Sequence, residues 1–100
     1  THHTKPSMGL RIHCMGEDRP GMLAAVAEQV SSKGMLIENV STQLRMNHDG
    51  RRQFVVDADC TTGHDWDARE MDGIVADLSG LKETLGLEVL DMRIHKMNES

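Results

Sequence analysis

The spacing of apolar residues changes from a period of two to a period near 3.6 and back, twice along the chain. That alternation restricts the fold more than any other feature. Leu10, Ile12 and Cys14 alternate with Arg11, His13 and Met15, the pattern of a strand with one buried face. The stretch 16–21, Gly-Glu-Asp-Arg-Pro-Gly, interrupts it as a tight loop. Pro20 suits the first turn of a helix, where a missing N–H costs nothing. From Met22 the helical period takes over: Leu23, Val26, Ala27 and Val30 share one face, while Glu28, Gln29 and Lys33 fall away. Gly34 is the expected left-handed stop. The spacing predicts a helix over 20–33.

A second strand is expected over 35–46. Val40, Thr42, Leu44 and Met46 are in phase with one another but not with Ile37, which calls for a bulge near Glu38 and Asn39. Asp49-Gly50 marks a hairpin turn within 47–51. The returning strand spans 51–59 with Phe54, Val56 and Ala58 inward, and 60–66 reads as a loop. A second helix is predicted over 67–85, with Met71, Ile74, Val75, Leu78, Leu81 and Leu85 on one side. Asp67 stands at its cap position and Glu70 at the capping-box spacing. Gly73 and Gly80 each weaken it by about 1 kcal/mol relative to alanine. Gly86 ends it, and a last strand over 87–96 carries Leu90, Met92 and Ile94 in phase. Residues 1–8 read as a disordered tail or an appended remnant, 9–96 as one domain and 97–100 as a tail.

The order βαββαβ specifies a ferredoxin-like two-layer α/β (α+β) sandwich with an antiparallel sheet in the order 4-1-3-2. Both helices cover one face. Strands two and four are edges. The open face carries Arg11, His13 and Met15 from strand one and Asp91, Arg93 and His95 from strand four. Pairing edge to edge across a twofold axis would make an eight-stranded sheet.

Composition narrows the function. Sixteen acidic residues against eleven Lys and Arg give a formal charge of -5, which disfavours a nucleic-acid partner. Trp66 and Phe54 are the only large aromatics, too few for a base-stacking platform. No apolar run approaches the ~20 residues of a membrane span. Cys14 and Cys60 form no CxxC and read as two small buried thiols in a reducing compartment, hence a cytoplasmic expectation. No serine lies in a G-x-S-x-G elbow. Cys14 and His13 face opposite sides of a strand, so no nucleophile–base pair forms. Glu17 and Asp18 oppose a phosphate in the first loop. His13 and His95, with Asp91 or Cys60, would make at best a loose metal site, and solvated histidines are the better reading. No catalytic residue, metal ligand or cofactor is expected.

Loop 16–21 is the most specific feature. A helix N-terminus offers unpaired N–H groups to an anion, Gly21 lets a ligand approach the first turn, and Asp18 could hold an ammonium. Together they would hold both ends of an α-amino acid. The same residues also make a strand-to-helix turn with Asp18 as cap and Arg19 in a surface ion pair, and the residues alone leave both readings open.

The run GEDRPGMLAAVAEQVSSKGMLIENVSTQL, residues 16–44, resembles the opening of an ACT domain, above all those of glycine-cleavage repressor-like proteins and formyltetrahydrofolate deformylases. The Asp-Arg-Pro-Gly-hydrophobic-Leu run is Asp18 to Leu23; Gly34 to Ile37, followed by Glu38 and Asn39, is the later signature. The resemblance implies a regulatory, non-catalytic domain that binds an amino acid at a pairing interface, works as a homodimer, and serves a fused or associated enzyme or regulator. It assigns ligand contact to Gly16, Glu17, Asp18, Gly21 and Met22, with Leu36 and Asn39 reaching in from the partner domain. One departure stands out: many amino-acid-binding members carry Asn where this chain has Leu36. A side chain that cannot hydrogen-bond a carboxylate forfeits that contact, and a buried unmade polar contact costs about 1–3 kcal/mol. The alternative is a ligand-free oligomerisation or protein-interaction module, favoured by Leu36 and the open sheet.

Overall fold

In a computed structural model, residues 8–62 and 68–96 are described. The elements run β1 (Met8–Glu17), α1 (Met22–Ser32), β2 (Met35–Met46), β3 (Arg52–Thr62), α2 (Ala68–Ser79), α3 (Leu81–Thr84) and β4 (Leu87–Lys96). One four-stranded sheet has the order β2-β3-β1-β4, with every neighbouring pair antiparallel. The expected order and its two edges, β2 and β4, are both found.

The alternation in β1 does what the period demands. Leu10, Ile12 and Cys14 are buried on the helix side, together with Val56, Ala58 and Cys60 of β3. From α1 come Met22, Val26 and Val30; from the second helical region, Met71, Ile74, Leu78 and Leu81. Leu90, Met92 and Ile94 of β4 pack against this core half-buried, as does Phe54. The bulge in β2 lies where the phase change required it, with register shifting between Ile37 and Asn39. Gly34 adopts φ 80° and ends α1 as expected.

Several boundaries move. β1 continues through Gly16 and Glu17, whose partners on β3 are Phe54 and Gln53, so the loop is only 18–21. Pro20 precedes α1 rather than opening it, and Gly21 is the N-cap. β3 takes in Cys60 and Thr62, expected in a loop. The second helix is two: α2 ends at Ser79 and α3 starts at Leu81, the break falling at Gly80, whose backbone stays right-handed but whose amide bonds the Asp77 carbonyl three residues back at 3.2 Å. The same apolar face continues across it. Asp67 lies outside the described residues, as do 1–7 and 97–100; Met8, expected in the leading tail, opens β1. In the hairpin Asn47 does more than the Asp-Gly signal suggested: its Oδ1 accepts from the amides of Asp49 and Arg51 at 2.9 and 3.0 Å.

β2 supplies the largest difference. Val40, Thr42 and Leu44 pair with Ala58, Val56 and Phe54 and therefore share the helix side of the sheet, as their phase required. Yet Val40 is 47%, Leu44 60% and Met46 69% exposed. The eleven-residue α1 is about 16 Å long, whereas twelve strand residues extend about 40 Å. The start of β2 is covered, with Met35 buried and Ile37 packed against the core, and the strand from Val40 onward is left bare.

Candidate functional site

The expected ligand loop is built where β1 hands the chain to α1. Gly16 is buried at the end of β1 against β4; a Cβ there would lie 3.0 Å from Leu87 Cδ2. Asp18 donates its amide to the Arg52 carbonyl at 3.1 Å, tying the loop to the start of β3. Gly21 takes φ 81°, ψ 4°, a left-handed conformation that other residues adopt at a cost. Helix α1 then begins without any side-chain cap. The expectation that Asp18 caps this turn is therefore corrected: Gly21 occupies the N-cap, and the exposed Asp18 side chain makes no hydrogen bond among the described residues.

Around this turn lies a hollow of about 260 Å³, lined by Glu17, Arg19, Pro20, Gly21, Met22, Ala25, Thr84 and Leu85. Three expected residues, Glu17, Gly21 and Met22, line it. The guanidinium of Arg19 and the carboxylate of Glu17 meet at 3.3 Å on its rim, so both signs of charge stand beside an apolar wall of Met22, Ala25 and Leu85. Sequence reading missed Thr84 and Leu85. The signal for them was topological: β4 neighbours β1, so the residues before Gly86 must sit beside the end of β1.

Leu36 and Asn39 are elsewhere. Leu36 pairs with Thr61 and Asn39 with Asp59, while Glu17 pairs with Gln53. Eight residues of β3 separate the Leu36 and Glu17 rows, about 26 Å of strand. A single chain does not bring the seven residues together. Leu36 is 65% exposed and Asn39 also faces solvent.

The open face is a surface of paired polar side chains. Arg11 Nε donates to Asp59 at 2.9 Å, and His13 Nδ1 meets Asp57 at 2.5 Å. Arg11 is held even more firmly protonated than usual by the hydrogen bond and charge of Asp59. His13 and His95 are not partners: His13 sits opposite Asp57 and Asp91, His95 opposite Gly9. Among the described residues no group of three or more His, Cys, Asp and Glu is placed to hold a metal ion. The His95 ring lies over Gly9, where a Cβ would come within 2.7 Å of its Nε2. Both cysteines are free and buried. Burial pushes the Cys14 thiol up and the Cys60 thiol up to about 11, which keeps both in the poorly nucleophilic protonated form at neutral pH. No helix among the described residues is long and apolar enough to cross a membrane.

No protein-family model matches the sequence, and no curated protein does. Solved structures do. A protein of unknown function from Galdieria sulphuraria superposes with a TM-score of 0.70 at 18% identity, over 98% of this chain and 54% of its own. A protein named as a glycine cleavage system transcriptional repressor gives 0.69 at 18% identity, over 94% of this chain and 49% of its own. A formyltetrahydrofolate deformylase from Pseudomonas putida KT2440 gives 0.61 at 15% identity, over 87% and 28%. The chain thus spans about half the length of the first two and about a quarter of the third. With the βαββαβ order, the 4-1-3-2 sheet and these superpositions together, the chain has an ACT-like fold, related in architecture to domains of the glycine-cleavage repressor and formyltetrahydrofolate deformylase type.

Proposed function

We propose that this chain is a non-catalytic regulatory module of the cytoplasm that senses an amino acid, works as a homodimer, and governs a fused or associated enzyme or regulator. The observation that carries the reading is the hollow at the start of α1. Its uncapped N-terminal turn offers backbone amides to a carboxylate. Arg19 and Glu17 place one positive and one negative group at its rim, a pairing suited to a zwitterion. Gly21 keeps the approach clear, since nothing lies within 4 Å of where its Cβ would be. The exposed Asp18 and the buried Gly16 flank the same turn. Leu36 and Asn39 join such a site only from a second molecule.

A second reading, a ligand-free interaction module, is favoured by the exposure of Leu36, which offers no polar contact to a carboxylate. One experiment separates the two: a thermal-shift screen of the twenty amino acids, on protein whose mass is checked by light scattering. Glycine is the first to examine, given the name of one structural neighbour. A specific ligand at a hundred times its Kd adds about 2.7 kcal/mol of stability, which a melt resolves easily. Silence from all twenty on a clean dimer supports the interaction module.

A further inference from the structure

On the open face of the sheet, β1 and β4 set two arginines against each other: Arg11 stands directly opposite Arg93. Like charges at opposed positions of an antiparallel pair are destabilising. Arg11 is compensated on its other side only, where its Nε donates to Asp59 at 2.9 Å. That bond uses one of the five N–H donors of a guanidinium. Arg93 makes no hydrogen bond or ion pair among the described residues. Asp91 lies two residues away on the same face of β4, and the two side chains do not pair.

Between the strands lies a hollow of about 240 Å³, lined by Arg11, His13, Asp91 and Arg93. It differs from the neighbouring hollows that Arg11 also lines. Asp57 and Asp59 line one of those, and Glu38 and Asp59 the other, so carboxylates meet any anion there. On the β4 side two guanidiniums face a single carboxylate.

We infer that this hollow binds a small monocarboxylate, its oxygens taken by the guanidinium groups of Arg11 and Arg93. A guanidinium is planar, always charged and matched to carboxylate geometry. A carboxylate placed between the two arginines turns their repulsion into two attractions. Arg11, already held by Asp59, has less freedom to lose on binding. Asp91 sets the class of guest, because a second carboxylate or a doubly charged phosphate would face it across the hollow. An ammonium on the α-carbon would stand beside the same two guanidiniums, so an α-amino acid is disfavoured as well. The volume is below the roughly 300–1,000 Å³ of pockets for drug-sized ligands, which keeps the guest small. The site is complete in one chain and lies on the opposite face of the sheet from α1. It therefore depends neither on the amino-acid reading nor on the homodimer.

The test is a titration with sodium propionate, set against sodium chloride at equal ionic strength and followed by the arginine Nε–H and backbone amide signals in nitrogen-15 NMR spectra. Propionate is expected to move the Arg11 and Arg93 side-chain signals and the amides of His13 and Asp91 along saturating curves, with loop 18–21 unmoved. Arg93→Gln should weaken binding by about tenfold or more, the order expected for loss of one charge-assisted partner. Arg93→Glu should abolish binding and yet melt no lower than the wild type, since the new carboxylate faces Arg11; this separates lost binding from lost folding. Propionate shifts no larger than those of chloride would overturn the inference. So would saturable binding that Arg93→Gln leaves unchanged, or equally strong binding of succinate, phosphate or glycine at the same signals.

Discussion

The same chemical change, glycine to alanine, should act with opposite sign at Gly21 and Gly73. At Gly21 the backbone is left-handed, φ 81°, and an added Cβ meets nothing within 4 Å. The penalty is therefore conformational only, about 1–2 kcal/mol for an L-residue in that region, offset in part by the stiffer unfolded chain at about 0.4–1 kcal/mol. A net loss near 1 kcal/mol is expected. Gly73 lies inside α2, exposed and helical, and its Cβ also finds open space. Alanine there should stabilise by about 0.8–1 kcal/mol, the helix-propensity difference. For a domain of this size 1 kcal/mol moves Tm by about 4–8 °C, so Gly21→Ala and Gly73→Ala should melt about 8–16 °C apart, on either side of wild type. Circular dichroism melts and urea titrations both read this. Asn at position 21 should fall between wild type and alanine, because Asn tolerates positive φ. Two shifts of the same sign, or a neutral Gly21→Ala, would refute the reasoning that the turn is held by backbone conformation alone.

Asp18→Ala should change stability by less than about 0.5 kcal/mol, since its side chain caps nothing; a larger loss in urea titration would restore it as a structural cap, and a weakened ligand response with unchanged stability would mark direct contact. Leu78→Ala, at a fully buried site facing the sheet, should cost about 2–5 kcal/mol in urea titration. Stability should fall between pH 9 and 11. The unfolded Cys60 thiol ionises near 9.0 while the folded one holds its proton to about 11, so the folded state binds more protons across that window and loses ground as pH rises. Cys60→Ala should flatten this slope, and an unchanged slope in pH-dependent urea titration would assign it elsewhere. Arg19→Gln, which removes one charge from the hollow at the start of α1, should weaken any amino-acid response in the thermal-shift screen while melting with wild type, as an exposed 3.3 Å pair contributes little.

The fold was legible because each element carried its own period. Leu10, Ile12 and Cys14 specified which face of β1 is buried, Gly34 and Gly86 marked two helix ends, and the phase slip between Ile37 and Val40 located a bulge to within one residue. What remained hidden involves relations between elements. Periodicity assigns Val40, Leu44 and Met46 to the helix side but carries no information on whether a helix reaches them; only the relative lengths of α1 and β2 decide that. Asp18 looked like a cap because Asp before a helix usually is one, yet the left-handed Gly21 turns the chain after it and takes the N-cap itself. Thr84 and Leu85 have no motif at all. They line the hollow because α3 ends beside β1.

The candidate site is consequently split along a line that a one-dimensional pattern cannot display. Gly16 through Met22 and Gly34 through Asn39 are linked in the sequence by one helix, and that helix runs antiparallel to both strands it joins. Its two ends must therefore stand at opposite ends of the sheet, the ligand loop at one and Leu36 at the other. No rotamer change closes about 26 Å of strand. The two signatures can act on one ligand only if a second copy supplies one of them. If the site is shared between the two copies of the proposed homodimer, amino-acid response should weaken in step with dimer dissociation across a protein-concentration series. A ligand affinity independent of protein concentration would show that loop 16–22 works alone.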